Sequence, residues 1–409
     1  MSSKVKYLFS SVLVFSLAVT FLQGQNGGGP TYEQTLGGDR LNTITTAVPF
    51  LMIAPDARAG ALGDAGVSSS PDVNSMHWNP AKYAFIEQDF GMSMNYTPWL
   101  RSLIDDINFS NLSGFYRIDE LQTVAASLKY FSLGEIMFTG EGGQELGTVR
   151  PNEFSIDVAY SRMLGEHISG AVAARYIYSN LTQGQFVSNY ETKPGRAFAA
   201  DVAVYYQRQL DWDTPTRFAA GLNISNIGNK ISYTDEHNAN FIPINLRIGP
   251  SLTFDIDQYN SIAVMLDFNK LLVPTPPIYA RDENGQPIIG DDGELVIESG
   301  KDPNRSVVAG MFGSFSDAPG GFQEELREIS YAAGLEYWYD QQFAIRGGYF
   351  HEHETKGNRK YFTLGLGLKY NVFGIDFSYI IPLAQRSPLE NVLRFSLQFD
   401  FAALQAQQQ

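Results

Sequence analysis

Leu393-Arg394-Phe395-Ser396-Leu397-Gln398-Phe399-Asp400-Phe401, the end of the stretch Pro388–Phe401, places five apolar residues in alternation with Arg394, Ser396, Gln398 and Asp400. Successive side chains of a strand point to opposite faces, so the segment has one wholly apolar face and one polar, charged face. A soluble sandwich can use one such strand. The same pattern, however, recurs from Phe90 to this point with few amphipathic helices to cover the apolar faces. Lipid is the remaining cover, and a sheet in lipid must close on itself so that no backbone edge is left unpaired.

The alternation can be followed along the chain. Phe90, Met92, Met94 and Tyr96 share a face, as do Val124, Ala126, Leu128 and Tyr130. Phe154 to Tyr160, Val172 to Tyr178, Phe198 to Tyr206, Phe218 to Ile224, Ile244 to Phe254 and Ile262 to Phe268 continue it. After a gap come Tyr331 to Tyr339, residues 342–351, Phe362 to Leu368, Phe373 to Tyr379 and the stretch quoted first. Residues 106–118 are irregular and are assigned a strand from their neighbours. About fourteen strands of membrane-crossing length result, an even number.

The connections sort by parity. Links after even-numbered strands are tight, as at Asp119-Glu120, Leu164-Gly165-Glu166, Asp257-Gln258 and Asp340-Gln341, whereas 134–150, 181–196, 228–243 and 272–328 follow odd-numbered ones. Short periplasmic turns and long extracellular loops alternate in this way in an outer-membrane barrel, and a sandwich has no reason to do so. Within 272–328, Pro274, Pro276 and Pro277 forbid regular pairing, Asn284-Gly285 and Asp292-Gly293 predict a small hairpin, and Phe322–Ile329 a short helix. A strand over 304–316 is the alternative that would upset the parity.

Composition agrees. The 409 residues include 28 Phe, 22 Tyr and 38 Gly with only 18% charged, as expected of aromatic girdles around a barrel whose apolarity is hidden in alternation. The continuous apolar run Tyr7–Leu22, after Lys4 and Lys6, reads as a signal peptide, residues 1–24, cut after Gly24. There is no cysteine, which excludes disulfides and thiol catalysis, and a net charge of −15 argues against nucleic acid as a partner. The expected organisation is 25–87 as an N-terminal arm and hatch, 88–401 as barrel and 402–409 as a periplasmic tail. Within the arm, Ala54–Val67 is dense in Ala and Gly, which suits a segment packed inside something narrow better than a linker.

Candidate chemistry is sparse. His351-Glu352-His353-Glu354 has zinc-ligand types, but no fourth ligand is in view and the stretch reads as a solvated loop. Asp282, Asn284, Asp291, Asp292 and Glu294 lack the spacing of an EF-hand and read as a solvated acidic loop. There is no Gly-x-Ser-x-Gly, no Walker motif and no dinucleotide fingerprint, so neither an enzyme nor a cofactor is expected. The alternation turns Asp157, Arg175, Asp201, Arg247, Asp267, Glu336 and Arg394 inward, with Lys129, Asp255, Arg346, Lys369 and Asp376. Such a set either pairs internally or lines a solute path.

Asp56-Ala-Arg-Ala-Gly-Ala-Leu-Gly-Asp-Ala-Gly66, followed by Trp78-Asn79-Pro80-Ala81, resembles the hatch of FadL-like long-chain fatty-acid transporters, barrels of fourteen strands plugged by their N-terminal segment. Asn269–Pro277, Ser314–Phe322, Gly334–Tyr339 and Arg346–Glu352 resemble more closely the PorV (LptO) family of type IX secretion. That resemblance implies a non-enzymatic outer-membrane barrel in contact with lipid. Such a barrel docks on a large translocon barrel, collects secreted cargo by its C-terminal signal domain and passes it to the attachment complex with its sortase. It carries over Asn79, Pro80 and Ala81 as hatch positions and no cargo-contact residue. The rival reading is a channel for hydrophobic small molecules. The tail after Phe401 departs from the usual ending of such barrels at an aromatic residue.

Overall fold

The computed structural model describes residues 35–400 apart from 37–38, 101–105, 140–144, 182, 184–185, 188–189, 235–238 and 385–386. The expected signal peptide, most of the arm before Leu41 and the tail after Phe401 lie outside the described residues.

Fourteen antiparallel strands close into one barrel: β1 (Phe90–Pro98), β2 (Asn108–Asp119), β3 (Gln122–Ser132), β4 (Asn152–Met163), β5 (Ile168–Asn180), β6 (Gly195–Leu210) and β7 (Thr216–Gly228), then β8 (Asn245–Asp255), β9 (Asn260–Leu271), β10 (Ser330–Tyr339), β11 (Phe343–His351), β12 (Lys360–Tyr370), β13 (Phe373–Pro382) and β14 (Leu393–Asp400). Each strand pairs with its neighbours in sequence, and β14 closes on β1 through Phe395 opposite Tyr96 and Asp400 opposite Gly91. Closure leaves no free edge, as the bilayer requires.

Period two decides which face meets lipid. On β14 Phe395 is exposed while Arg394 and Ser396 are buried, and on β12 Phe362, Leu364, Leu366 and Leu368 are exposed on one face with Thr363 buried on the other. Rings pair across strands near both rims. Phe154 and Tyr178 lie 5.0 Å apart and Tyr349 and Phe362 5.0 Å apart at the long-loop end, with Phe373 and Phe399 5.5 Å apart at the short-turn end. The β10–β11 turn is tight because Asp340 and Gln341 both adopt positive φ, 52° and 53°, the geometry of a type I′ hairpin.

Two details depart from the alternation. Residues 106–118 look irregular because large apolar side chains stand on both faces of β2: Leu112 and Tyr116 face outward, while Phe109 and Phe115 are buried inward beside Asn111 and Ser113. Ile244, grouped with the outward residues of its strand, precedes β8 and is fully buried in an apolar cluster at the long-loop end.

Residues 304–316 contain a helix rather than a strand, α3 (Val307–Gly313), so the strand parity stands. It is followed by α4 (Phe322–Arg327). The predicted hairpin is present as bridges Arg281 to Pro287 and Ile289 to Leu295, turning at Gly285 and Gly293 with φ of 78° and 82°. The helices α1 (Ala57–Gly60) and α2 (Ser75–Trp78), which precede the barrel strands in the chain, lie within the barrel.

Residues 41–87 run through the lumen from one end to the other. At the long-loop end Asn42 N–H donates to the Thr355 carbonyl (3.0 Å) and Ala47 N–H to that of Phe241 (2.9 Å). At the other end Arg117 N–H donates to the carbonyl of Asp89, just before β1 begins.

Candidate functional site: the occupied lumen

The luminal segment is built from small residues because backbone must meet barrel wall. Ala57, Ala61 and Ala65 are fully buried, and Gly63 adopts φ 71°. A Cβ on Gly348 of β11 would stand 2.0 Å from Gly63 N, and one on Gly221 of β7 would stand 2.1 Å from the Val67 carbonyl oxygen. Glycine on both sides permits this approach.

Direct hydrogen bonds then fasten the segment to β7–β14. Ala57 N–H donates to Ser396 Oγ (2.8 Å), Gly63 N–H to Thr363 Oγ1 (2.9 Å), and Gly66 and Val67 N–H both to Asp267 Oδ2 (2.8 and 2.9 Å). Asn223 Nδ2 donates to the Trp78 carbonyl (3.0 Å) and Ser251 Oγ to that of Ser68 (2.6 Å).

Charge organises the inner half. Arg58 on α1 donates through Nε (3.0 Å) and Nη2 (2.8 Å) to the carboxylate of Glu336 on β10, and through Nη1 to Asp72 (2.8 Å). Arg346 Nε also donates to Glu336 (2.6 Å) while its Nη1 reaches Asp376 (2.5 Å). The result is a buried chain of alternating sign, Asp72–Arg58–Glu336–Arg346–Asp376, in which each charge is paired as burial demands. Burial pushes Asp72 up, but the Lys82 and Arg58 charges win and hold it below the usual carboxylate range.

Asp56 caps α1, accepting from Ala59 N–H (2.8 Å), and also accepts the Trp78 indole N–H (2.6 Å). Burial, with the nearby Asp72 charge, pushes its carboxyl up to about 6. Burial likewise pushes the Lys82 ammonium down to about 8; its Nζ donates to Ser69 Oγ (2.9 Å) and the Gly66 carbonyl (3.0 Å). His77, buried near Lys129 and Arg247, is held well below its ordinary value by burial first and by those cations second.

Asn79, Pro80 and Ala81 are all buried. Asn79 Oδ1 accepts from Ala81 N–H (3.0 Å), starting a 3-10 turn over Pro80–Phe85. Its Nδ2 joins the Val67 carbonyl (3.1 Å) to that of Val204 on β6 (3.0 Å). The Ala81 carbonyl accepts from Ser161 (3.1 Å) and Ser169 (2.7 Å).

The seven singled-out charges fall into separate groups. Asp157, Arg175 and Asp201 form one cluster, in which Arg175 Nη2 meets Asp201 Oδ2 at 3.0 Å and Arg175 also donates to Asp157 and Asn226. Arg247 donates to Asn269 (2.7 Å) and lies 4.6 Å over the Trp78 ring. Asp267 holds the Gly66-Val67 turn, Glu336 holds Arg58, and Arg394 reaches the Gly60 carbonyl (3.4 Å) and Asp64 (3.4 Å). The structure thus distributes them around the segment and gathers them at no single centre. Arg58 and Lys82 lie outside the strand alternation and belong to the site as well; the sign of both in the sequence is a lone cation in a run of small or apolar residues, which must find an anion or acceptor when buried.

Beneath the segment a cavity of about 320 Å³ lies at the short-turn end, lined among others by Arg58, Asp72, Glu336, Trp338, Arg346 and Asp376. At the opposite end Val48, Phe50 and Leu51 pack with Phe109, Phe131, Ile177 and Ile244 in an apolar layer.

Above that layer the loop 272–329 is tied down. Lys270 Nζ contacts Glu325 (2.9 Å) and Glu328 (2.6 Å), and Lys356 contacts Glu324 (2.5 Å) and Glu328 (3.0 Å). Asn42 Nδ2 adds Glu324 (2.9 Å) and the Pro276 carbonyl (3.1 Å). Val308, Phe312 and Phe322 of this loop are left exposed.

Among the described residues no group of three or more His, Cys, Asp or Glu is arranged to hold a metal. Glu352 pairs with Arg359 (2.8 Å), His351 Nδ1 lies 3.2 Å from Tyr349 Oη, and His353 sits beyond the end of β11 with Nδ1 2.9 Å from Thr355 Oγ1. Asp282 accepts from Asn284 and Gln286 N–H within its turn (2.9 and 2.8 Å), and Asp292 from Glu294 N–H (3.0 Å).

A family model described as type IX secretion system protein PorV matches residues 37–278. No curated protein matches the sequence. Similar solved structures include the toluene transporter TbuX of Ralstonia pickettii, with 11% identity, 84% of this chain and 98% of that one covered, and a TM-score of 0.44. A FadL homologue of Pseudomonas aeruginosa gives 10% identity, 85% and 99% coverage and a TM-score of 0.43.

Proposed function

The chain belongs to the PorV family of type IX secretion system proteins, and from that premise we propose that it is the outer-membrane barrel that binds the C-terminal signal domain of exported cargo at the translocon and delivers it to the attachment complex with its sortase. The observation that carries this reading is the combination of a lumen occupied by the chain itself and a long loop held rigid outside it. Residues 47–86 are packed and hydrogen-bonded along the lumen, so the segment acts as a plug and the working surface is the exterior. The loop 272–329 is fastened by Lys270 and Lys356 and presents Phe312 and Phe322 to the outside, a preorganised apolar surface of the kind that binds folded protein.

The experiment is to shorten the hairpin and α3 portion of this loop while keeping Lys270, Glu325 and Glu328. Capture of a cargo signal domain by the purified barrel is then measured by pull-down. Loss of capture with an intact barrel supports the reading; unchanged capture removes the loop from it.

A FadL-like channel for hydrophobic small molecules is the second reading, and the inner cavity of about 320 Å³ is the observation in its favour. It requires uptake of a fatty acid or aromatic hydrocarbon by a transport-deficient strain expressing this chain. The cargo reading expects none.

A further inference from the structure

His351 ends β11 and Lys360 begins β12, directly opposite each other at the long-loop end. Together with Phe268 on β9 and Tyr331 on β10 they form one row of register partners. The row faces the membrane side, because the neighbouring row of Asp267, Ala332, Phe350 and Tyr361 is buried inward while Phe268 and Tyr331 are exposed. One step toward the bilayer centre on the same outward face lie Leu266, Ala333, Tyr349 and Phe362, again register partners. Leu266 and Phe362 are exposed.

Charge sorts with this face. The chain carries a net −15, yet among the described residues the charged side chains turned outward at the long-loop ends of the strands are Arg196, Lys270 and Lys360, all basic. Lys270 is occupied by Glu325 and Glu328. Lys360 has no carboxylate within ion-pair distance among the described residues, and Glu352 of the adjoining loop is held by Arg359 (2.8 Å). A lysine at this depth lays its stem on apolar surface and lifts its ammonium to the head groups, where an anion is its natural partner.

His351 supplies a second donor beside it. Its Nδ1 lies 3.2 Å from Tyr349 Oη, and the tautomer in which that hydroxyl donates leaves the Nε2 proton to donate elsewhere. Aromatic rings surround the pair, with Tyr331 and His351 5.8 Å apart and Tyr349 and Phe362 5.0 Å apart. Donors at the head-group level above an apolar row match an amphiphile whose head offers several acceptor oxygens to both donors, as a phosphate does. We propose that the outward face of β10–β12 at the long-loop end binds one phosphate-bearing lipid of the adjoining leaflet, with Lys360 and His351 on the phosphate and its acyl chains over Leu266, Ala333 and Phe362. The site lies outside the lumen and does not depend on the cargo reading.

Native mass spectrometry of the purified full-length barrel in a non-ionic detergent, with diphosphoryl lipid A as the probe, reads this site. The parent barrel is expected to retain one lipid. Lys360→Gln should weaken retention about tenfold, the effect of losing one charge-assisted hydrogen bond, and Lys360→Arg should preserve it. Arg162→Gln, which removes an outward cation of β4 at the opposite rim, should leave it unchanged. Lipid A stripped of both phosphates should be retained no better than by Lys360→Gln. Equal retention of the two lipids by the parent, unchanged retention in Lys360→Gln or an equal loss in Arg162→Gln would each overturn the site. Displacement of the lipid by inorganic phosphate would also overturn it, by assigning the two donors to a soluble anion. His351→Phe, which keeps an aromatic ring and removes the second donor, is expected to weaken retention as Lys360→Gln does and decides the matter if that variant fails to assemble.

Discussion

Gly63 of the luminal segment and Gly348 of β11 touch backbone to backbone: a Cβ at position 348 would fall 2.0 Å from Gly63 N. No side-chain rotation relieves such an overlap, because both partners are main chain. Gly348→Val is therefore expected to leave β11 able to pair, since the position is ordinary strand, while displacing the segment at a cost at or above the roughly 1–3 kcal/mol of an overpacked core. The barrel should still assemble, with protease cleavage between Ala54 and Ala84 and increased conductance in a planar bilayer. An assembled Gly348→Val barrel as silent and protease-resistant as the parent would refute the close approach.

Arg58 and Glu336 tie segment to wall through two hydrogen bonds, at 3.0 and 2.8 Å, in a buried setting. Removing one partner leaves the other with a single remaining ion pair, Arg58 to Asp72 or Glu336 to Arg346, so the cost should fall below the about 3–5 kcal/mol of a wholly unpaired buried charge. Glu336→Gln and Arg58→Met should each lower the unfolding temperature. The double substitution should recover part of the loss, because Arg346 retains Asp376. Additive losses in the double-mutant cycle would show the pair to be uncoupled.

The Asp56 carboxyl is pushed up to about 6 from 3.8. A folded value above the unfolded one means that protonation favours the folded state. The contribution is fully present below about 3.8 and is lost as pH rises through about 6. Asp56→Asn does not titrate; its single amide oxygen keeps an acceptor for Ala59 N–H, while its Nδ2 opposes the Trp78 indole N–H, a penalty that does not vary with pH. The unfolding temperature of the parent minus that of Asp56→Asn should fall between pH 4 and pH 7, with carboxylates remote from Asp56 cancelling in the difference. Fluorescence of a variant retaining Trp78 as its sole tryptophan should titrate with a midpoint near 6; a midpoint near 4 contradicts the burial argument.

Lys270 and Lys356 hold α4 through three glutamates. Lys356→Ala leaves Glu324 and Glu328 without this cation and should speed amide hydrogen exchange across 272–329 while leaving β10 and β11 protected. If the loop surface captures cargo, the same substitution weakens capture mainly through lost preorganisation. Unchanged exchange in the loop would show that the network does not control its order.

The sequence by itself determined the barrel, because strand alternation and the length of each turn are local properties that lipid and water read one strand at a time. Leu393 to Asp400 shows this: period two alone sorts Phe395 from Arg394 and Ser396, and the parity of the connections places the segment as the last of fourteen strands closing on the first. Where the inner face packs against the chain's own segment, alternation loses its meaning, since Phe109 and Phe115 are as apolar as their outward neighbours. Only the tertiary structure decided which inward charge meets which. Arg58 finds Glu336, 278 positions away, and Asp267 finds the Gly66-Val67 turn, about 200 away. Those partners are chosen by the path of residues 41–87 through the lumen. That path depends on where small residues on the segment coincide with Gly221, Gly348 and Gly365 on the wall, a match between surfaces that no local pattern encodes.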